Sequence, residues 1–302
     1  MFSGSLVAIV TPMNADGSVD YAAWERLLDL HVASGTAGIV IGGTTGESPT
    51  VTEEELQALV SAARQHVGTR VKLLAGAGTS STAGTVERVR RLQGLGLDAL
   101  LVVTPAYNKP GQEGLYRHYE AVASAGDVPL MLYNVPARTA VDMLPQTVAR
   151  LAKLPGIVAV KEAVGSVERV RELVALCGGD FAVLSGDDAT ARAAVLAGAS
   201  GVVSVTANVA PAAMAAMIQA ARQGQAELAA RHDGPLAELH RSLFVEANPV
   251  PVKWALAQLG YIGTGIRLPL TWLATGNETT VLNALQHAGL TPGSAAKKVG
   301  NA

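Results

Sequence analysis

Eight short apolar runs, rich in β-branched residues and each separated from the next by enough chain for one helix, restrict the fold of this chain more than any other feature. They fall at residues 6–10, 38–41, 71–75, 99–103, 130–133, 157–161, 181–185 and 201–204. Unbroken apolar runs of that length suit strands buried on both faces, which is the condition of a parallel sheet. The intervening segments carry helical signals. Residues 21–34 are one, 52–66 open with Thr52 and Glu55 in capping-box spacing, and 82–95 close at Gly96. Alternation of eight strands with helices over about 220 residues predicts an α/β protein, a (β/α)8 TIM barrel. After Asn208 the strand signal stops, and 211–222, 226–244, 251–259 and 277–288 read as helices. The predicted organisation is a barrel carrying the active site over 1–224 and a C-terminal helical region over 225–302, whose last stretch, 291–302, is small, Gly- and Lys-containing and expected to fray.

Composition narrows the partner. With 302 residues, 49% hydrophobic and 16% charged, the chain can bury a large core, and disordered and fibrous classes are excluded. A net charge of −2 without a basic block, and 4% aromatics, give neither the electrostatic footprint nor the stacking platforms of a nucleic-acid binder, so a small-molecule partner is expected. Cys177 is the sole cysteine, so no intrachain disulfide can form, and its LVALC setting suits a core thiol. The apolar run at 6–10 is too short for a signal peptide and is broken by Thr11-Pro12. No apolar stretch of roughly 18 residues follows, so no membrane association and a cytoplasmic location are expected.

The run at 157–160 ends abruptly on Lys161. At the end of a buried strand an ammonium gives up hydration, which favours the free amine, and that is the setting of a Schiff-base nucleophile. Pairing with a carboxylate at the strand end is the alternative. In barrels of this kind chemistry sits at the carboxyl ends of the strands, so the residues after each run decide between them.

Behind the second run stands Gly42-Gly43-Thr44-Thr45-Gly46-Glu47-Ser48. Glycines admit a ligand close to backbone N–H groups and the hydroxyls add donors, a combination suited to a carboxylate; the Gly-Lys-Ser/Thr ending of a nucleotide loop is missing. A plain turn is the alternative. Tyr107 follows the fourth run and Tyr133 ends the fifth, with Arg138 just beyond it. Either tyrosine alone could be simply packed, and Arg138 alone could serve a surface ion pair. Tyr133 and Lys161 end neighbouring strands, however, so their side chains, if directed inward, share the top layer of the barrel and reach one reacting carbon. Arg138 then offers a rigid fork for a second carboxylate.

Other patterns carry less. Gly76-Ala77-Gly78 lacks the third glycine and the acidic residue of a dinucleotide fingerprint. The six histidines show no metal-ligand spacing, and Asp187-Asp188 reads as a loop or helix cap, so no metal is expected.

The ordered set GGTTGES, TPAYNKP, YNVPART, VKEA, LSGDDAT, GVVSVTANV and NPVPVK, running to about Leu290, closely resembles the dihydrodipicolinate synthase (4-hydroxy-tetrahydrodipicolinate synthase) family. The resemblance implies a barrel with a C-terminal helical region and condensation of pyruvate with L-aspartate 4-semialdehyde in diaminopimelate and lysine biosynthesis. It also implies an imine between Lys161 and pyruvate in place of a cofactor, proton shuttling by Tyr133, and a relay completed by Thr44 and Tyr107. Thr45 and Val203 would contact pyruvate, Gly186 would join the substrate-binding positions, and Arg138 would hold the carboxylate of the semialdehyde. Tyr107 would reach the site of a neighbouring subunit, so a homodimer or homotetramer follows. Two other readings stand beside this one: a pyruvate-dependent lyase for a sugar-acid or sialic-acid aldehyde, which would favour a small or hydroxyl residue where Arg138 stands, and a non-catalytic barrel, which would have no need to keep Lys161, Tyr133, Tyr107 and Thr44 together.

One departure concerns regulation. Positions matching the lysine-binding cavity of inhibited members hold Pro49, Glu53, Leu56, Ser80, Gly84 and Ala106, which provide few acceptors for ammonium groups and little packing for a stem. Weak or absent inhibition by lysine is predicted. An inhibition assay checks it, and half-inhibition in the low micromolar to submillimolar range would contradict it.

Overall fold

The eight runs form eight parallel strands: β1 Gly4–Ala8, β2 Gly38–Ile41, β3 Lys72–Gly76, β4 Ala99–Val103, β5 Leu130–Asn134, β6 Ile157–Glu162, β7 Ala182–Ser185 and β8 Gly201–Ser204. Each pairs with the next, and β8 pairs back onto β1, so the sheet is a closed barrel. This computed structural model describes residues 1–293; residues 294–302 lie outside the described residues, and with them most of the stretch expected to fray. The predicted strand bounds hold to within two residues. The largest difference is β1, which begins two residues before the apolar run and ends before Ile9, because Ile9 and Val10 continue the apolar pattern into the loop, where the Ile9 N–H still reaches the Val40 carbonyl at 3.1 Å.

Strand side chains alternate between two faces, and the barrel assigns each face a core. Leu6, Val40, Leu74, Leu101, Met131 and Leu184 fill the lumen. Val7, Ile39, Leu73, Val102 and Leu132 pack outward against helices that contribute Trp24, Leu27, Leu59 and Tyr119. Closure is tight where β8 meets β1: a Cβ added at Gly201 would stand 2.1 Å from the Gly4 carbonyl oxygen. That approach admits only hydrogen.

Helix starts follow local capping chemistry. Helix Tyr21–Ala33 is capped by Asp20, and helix Glu53–Val67 opens with the predicted box, Thr52 accepting from the Glu55 N–H and Glu55 accepting from the Thr52 N–H. Asp187 caps helix Asp188–Leu196 as a loop residue, in line with the capping reading of that pair. Among the described residues no three His, Cys, Asp or Glu side chains gather where they could hold a metal ion.

Two helical readings need correction. Helix Thr82–Leu92 ends short of Leu95, since Gln93 already turns to extended backbone. The segment 226–244 is not one helix but Ala226–Asp233, a 3-10 turn Gly234–Leu236, and Ala237–Ser242. Pro235 interrupts it because it has no N–H to donate and its ring crowds the preceding turn. Helices Val250–Leu259 and Thr275–His287 complete the C-terminal region. Among the described residues no helix is long and apolar enough to cross a membrane.

Candidate active site

Register builds the centre of the site. Tyr133 of β5 lies directly opposite Lys161 of β6, and strand alternation turns both into the lumen, where Tyr133 and Val203 belong to the inner apolar cluster. Lys161 is 5% exposed, and its Nζ stands 4.2 Å from the Tyr133 ring centroid. Lys161 takes part in none of the ion pairs formed among the described residues, so the carboxylate-paired alternative is not realised. Its stem runs beside Gly186 in the loop after β7. A Cβ there would lie 3.0 Å from Lys161 Cε and 2.8 Å from Ala163 Cβ. Gly186 is therefore the residue that leaves the lysine stem its channel.

The GGTTGES loop forms one wall. Thr44, Gly43, Ser48, Arg88 and Tyr133 line a single small cavity at the mouth. The N–H groups of Gly46, Glu47 and Ser48 are consumed within the loop, whereas those of Thr44 and Thr45 make no hydrogen bond among the described residues. Two backbone donors beside the Thr45 hydroxyl suit an anion. Thr45 is buried and its Oγ1 accepts from Asn248 Nδ2 at 3.0 Å.

Arg138 sits on a single helical turn, Pro136–Thr139, that begins straight after β5 with proline at its start. It is exposed at the rim, and its Nη2 donates to the Asn248 carbonyl at 3.1 Å. Asn248, which sequence reasoning did not single out, thus touches both Thr45 and Arg138. Tyr107 is not brought into this group: it is 94% exposed with φ +70°, on the loop after β4. Cys177 is half-buried against the core rather than within it, and burial pushes its thiol up to about 11.

A second set of charges holds the wall in place. Glu47, φ +59°, is buried with the Lys253 ammonium against its Oε1, while Oε2 accepts from the Arg267 N–H at 3.2 Å. Burial draws the Lys253 ammonium below its ordinary range, and the Glu47 carboxylate pulls it back. Arg267 also pairs with Glu55 and donates to the Thr50 carbonyl, so the C-terminal region grips both ends of the segment after Thr45. The signal in the sequence was Lys253 itself, one ammonium inside the otherwise apolar VPVKWAL. Arg88, also unforeseen, pairs with Glu53 through Nε at 2.7 Å and through Nη2.

A sequence model of the Dihydrodipicolinate synthetase family matches residues 1–288. The chain is 50% identical over 290 residues to the 4-hydroxy-tetrahydrodipicolinate synthase of Methylococcus capsulatus, covering 96% of this chain and all of that one. It is 51% identical over 290 residues to the enzyme of that name from Laribacter hongkongensis, with the same coverage. Its fold superposes with a TM-score of 0.95, at 47% identity and over 96% of this chain and 100% of the other, on the chloride-inhibited dihydrodipicolinate synthase of Acinetobacter baumannii, solved in complex with pyruvate.

The buried pair sets a stability test. Lys253→Met leaves the Glu47 carboxylate buried opposite an apolar chain and should cost about 3–5 kcal/mol, whereas Glu47→Gln with Lys253→Met should recover most of that loss. Urea denaturation of the three proteins measures both; equal losses in the single and double variants would count against the pair.

Proposed function

The chain belongs to the Dihydrodipicolinate synthetase family, and from that premise we propose that it is a lyase of the class I aldolase type that condenses pyruvate with L-aspartate 4-semialdehyde, the 4-hydroxy-tetrahydrodipicolinate synthase reaction that opens the diaminopimelate route to lysine. The observation that carries the reading is the juxtaposition of Lys161 and Tyr133 across one register position of the lumen, in a chain about half identical over nearly its full length to relatives bearing that name.

In the proposed reaction the Lys161 amine adds to the ketone carbon of pyruvate. The carbinolamine loses water to give a protonated imine, which is the electron sink, and so the reading includes no metal and no cofactor. Removal of a methyl proton gives the enamine; its carbon attacks the aldehyde carbon, and the aldehyde oxygen takes up a proton. The amine of the second substrate then adds to the imine carbon, closing the ring and releasing Lys161. Tyr133, whose ring centroid lies 4.2 Å from Lys161 Nζ, suits the carrying of these protons, with Thr44 beside it in the same cavity. The free N–H groups of Thr44 and Thr45 and the Thr45 hydroxyl suit the pyruvate carboxylate, with Val203 against its apolar side. Arg138, exposed at the rim and pinned by Asn248, suits the carboxylate of the incoming aldehyde.

The proposed relay includes Tyr107 of a second copy. Its exposure and left-handed backbone conformation suit a side chain presented outward to another subunit, which makes a homodimer the smallest complete unit and is compatible with a homotetramer.

Pyruvate consumption with the semialdehyde as acceptor should fall at least about a thousandfold in Lys161→Ala, and borohydride should trap a carboxyethyl group on Lys161 of the wild type and on no residue of the variant. Turnover surviving in Lys161→Ala would refute the assignment.

A mixing experiment addresses Tyr107. Tyr107→Phe and Lys161→Ala proteins, each nearly inactive, should regain about a quarter of wild-type activity when unfolded together and re-associated at equal amounts, because half the dimers are mixed and each of those has one intact site of two. No recovery would place Tyr107 outside the neighbouring site.

A further inference from the structure

We propose that Glu162 is a positioning residue for the Lys161–Tyr133 pair: its carboxylate, on the outward face of β6, ties the ends of β5 and β6 together through Asn134 and so fixes the direction in which amine and phenol enter the lumen. The inference rests on the roles proposed above for those two side chains.

The geometry is that of one register step. Asn134 lies opposite Glu162 as Tyr133 lies opposite Lys161, and strand alternation sends the first pair outward where it sends the second inward. Asn134 Nδ2 donates to both Glu162 oxygens, at 3.1 and 3.2 Å, and to Asp142 Oδ1 at 2.8 Å, while Asn134 Oδ1 accepts from the Met143 N–H. Glu162 Oε1 also accepts from the Val164 N–H at 2.9 Å, which folds the chain back immediately after the nucleophile. The backbone carries the same connection: the Ala163 N–H donates to the Asn134 carbonyl, and the Glu162 carbonyl accepts from the N–H of Gly186, the residue that leaves room for the lysine stem. Glu162 is 2% exposed, so none of this is a surface contact.

A carboxylate is required here for a reason that glutamine cannot meet. The groups facing it are donors: the Asn134 amide, the Val164 N–H, and the Arg169 guanidinium 3.8 Å from Oε2, which is itself held by two bonds to Asp142. The remaining charge nearby is Asp142, and the β7 residue in register is Ser185. A protonated carboxyl would turn a hydrogen toward these donors and forfeit part of the connection.

Burial raises the Glu162 pKa above the ordinary carboxylate range; the Asn134, Val164 and Arg169 contacts act against that rise and the Asp142 charge adds to it. A carboxyl raised in the folded state adds stability when protonated and loses that contribution as the pH climbs through its folded pKa. Relative to the protonated carboxyl, the ionised one is therefore less stabilising at neutral pH, so a loss of turnover in Glu162→Gln without a loss of stability separates positioning from structural support.

Glu162→Gln supplies the test. With pyruvate and semialdehyde saturating, kcat should fall by roughly ten- to a hundredfold, the range expected for a misdirected reacting group, with KM for pyruvate changed less than about threefold. The melting temperature at neutral pH should not fall, and the acid limb of the kcat profile belonging to this group should vanish. Asp142→Asn removes a neighbouring negative charge and frees Arg169 to close on Glu162, so that limb should move to lower pH. A Glu162→Gln enzyme turning over within about twofold of wild type with an unchanged acid limb overturns the proposal. Should that variant fail to fold, the stability argument is wrong, and an unmoved limb in Asp142→Asn then overturns the positioning role too. Borohydride trapping on wild type keeps the two readings apart: no adduct on Lys161 sinks the reaction assignment, whereas an adduct formed equally fast in wild type and Glu162→Gln sinks only this inference.

Discussion

Alternation of side chains along parallel strands, locked by closure of the barrel, is the constraint on which the rest of this molecule depends. Once β8 has paired with β1 there is no free edge along which a strand could slip, and a slip of one residue would exchange every inward side chain for an outward one. Lys161 and Tyr133 face the lumen because Ala159 and Met131, two residues earlier, do. The same periodicity places Glu162 and Asn134 on the opposite face, in the layer between sheet and helices. The Lys161 amine and the Glu162 carboxylate, one residue apart in sequence, are thereby kept on opposite faces of the sheet, and no ion pair forms between them.

The barrel alone does not fix the loop that carries Thr44 and Thr45. Its conformation, with Glu47 at φ +59°, lies in a region that non-glycine residues rarely occupy, and it is stabilised from outside by Lys253 and Arg267. Bringing an ammonium and a carboxylate out of water is costly, and an apolar pair could be at least as stable there. What the ion pair adds is direction: one carboxylate receives Lys253 on one oxygen and a backbone N–H on the other, so the turn after Thr45 can close in one way only. Asn248 extends the connection to Thr45 and to Arg138. The C-terminal helices are therefore part of the construction of the site although they contribute no strand to the barrel.

The fold was legible in the sequence because each strand is a short apolar run bounded by helix signals, and the centre of the site was legible because Lys161 ends such a run where hydrophobicity alone would not put a lysine. Differences arose where local pattern and long-range geometry diverge. Ile9 and Val10 are as apolar as the strand they follow, and their burial in a loop cannot be told from pairing by composition. Pro235 is the local mark of the break within 226–244, where helical residues stand on both sides of it. Glu47 and Lys253 are 206 residues apart, a pairing that no local period reports. Tyr107 shows the complementary case, since the fold of this chain leaves it 94% exposed.

Arg88 and Glu53 bear on how the wall behind Thr44 can respond to solutes. Glu53 stands where the family resemblance puts a contact for an inhibitory amino acid, but here its carboxylate is engaged by the Arg88 guanidinium through two nitrogens. Arg88 in turn lines the cavity that also holds Thr44 and Ser48. A cationic effector entering there would meet a guanidinium beside the carboxylate, and to use Glu53 Oε1 it would have to displace two Arg88 nitrogens, with both side chains largely shielded from water. Ser80, Gly84 and Ala106 offer few ligands at positions the family resemblance assigns to that cavity, and Arg88 takes up the Glu53 carboxylate there. Arg88 lines the cavity while Glu53 is engaged by it, so the weak or absent inhibition predicted for lysine would have an electrostatic cause beside a steric one.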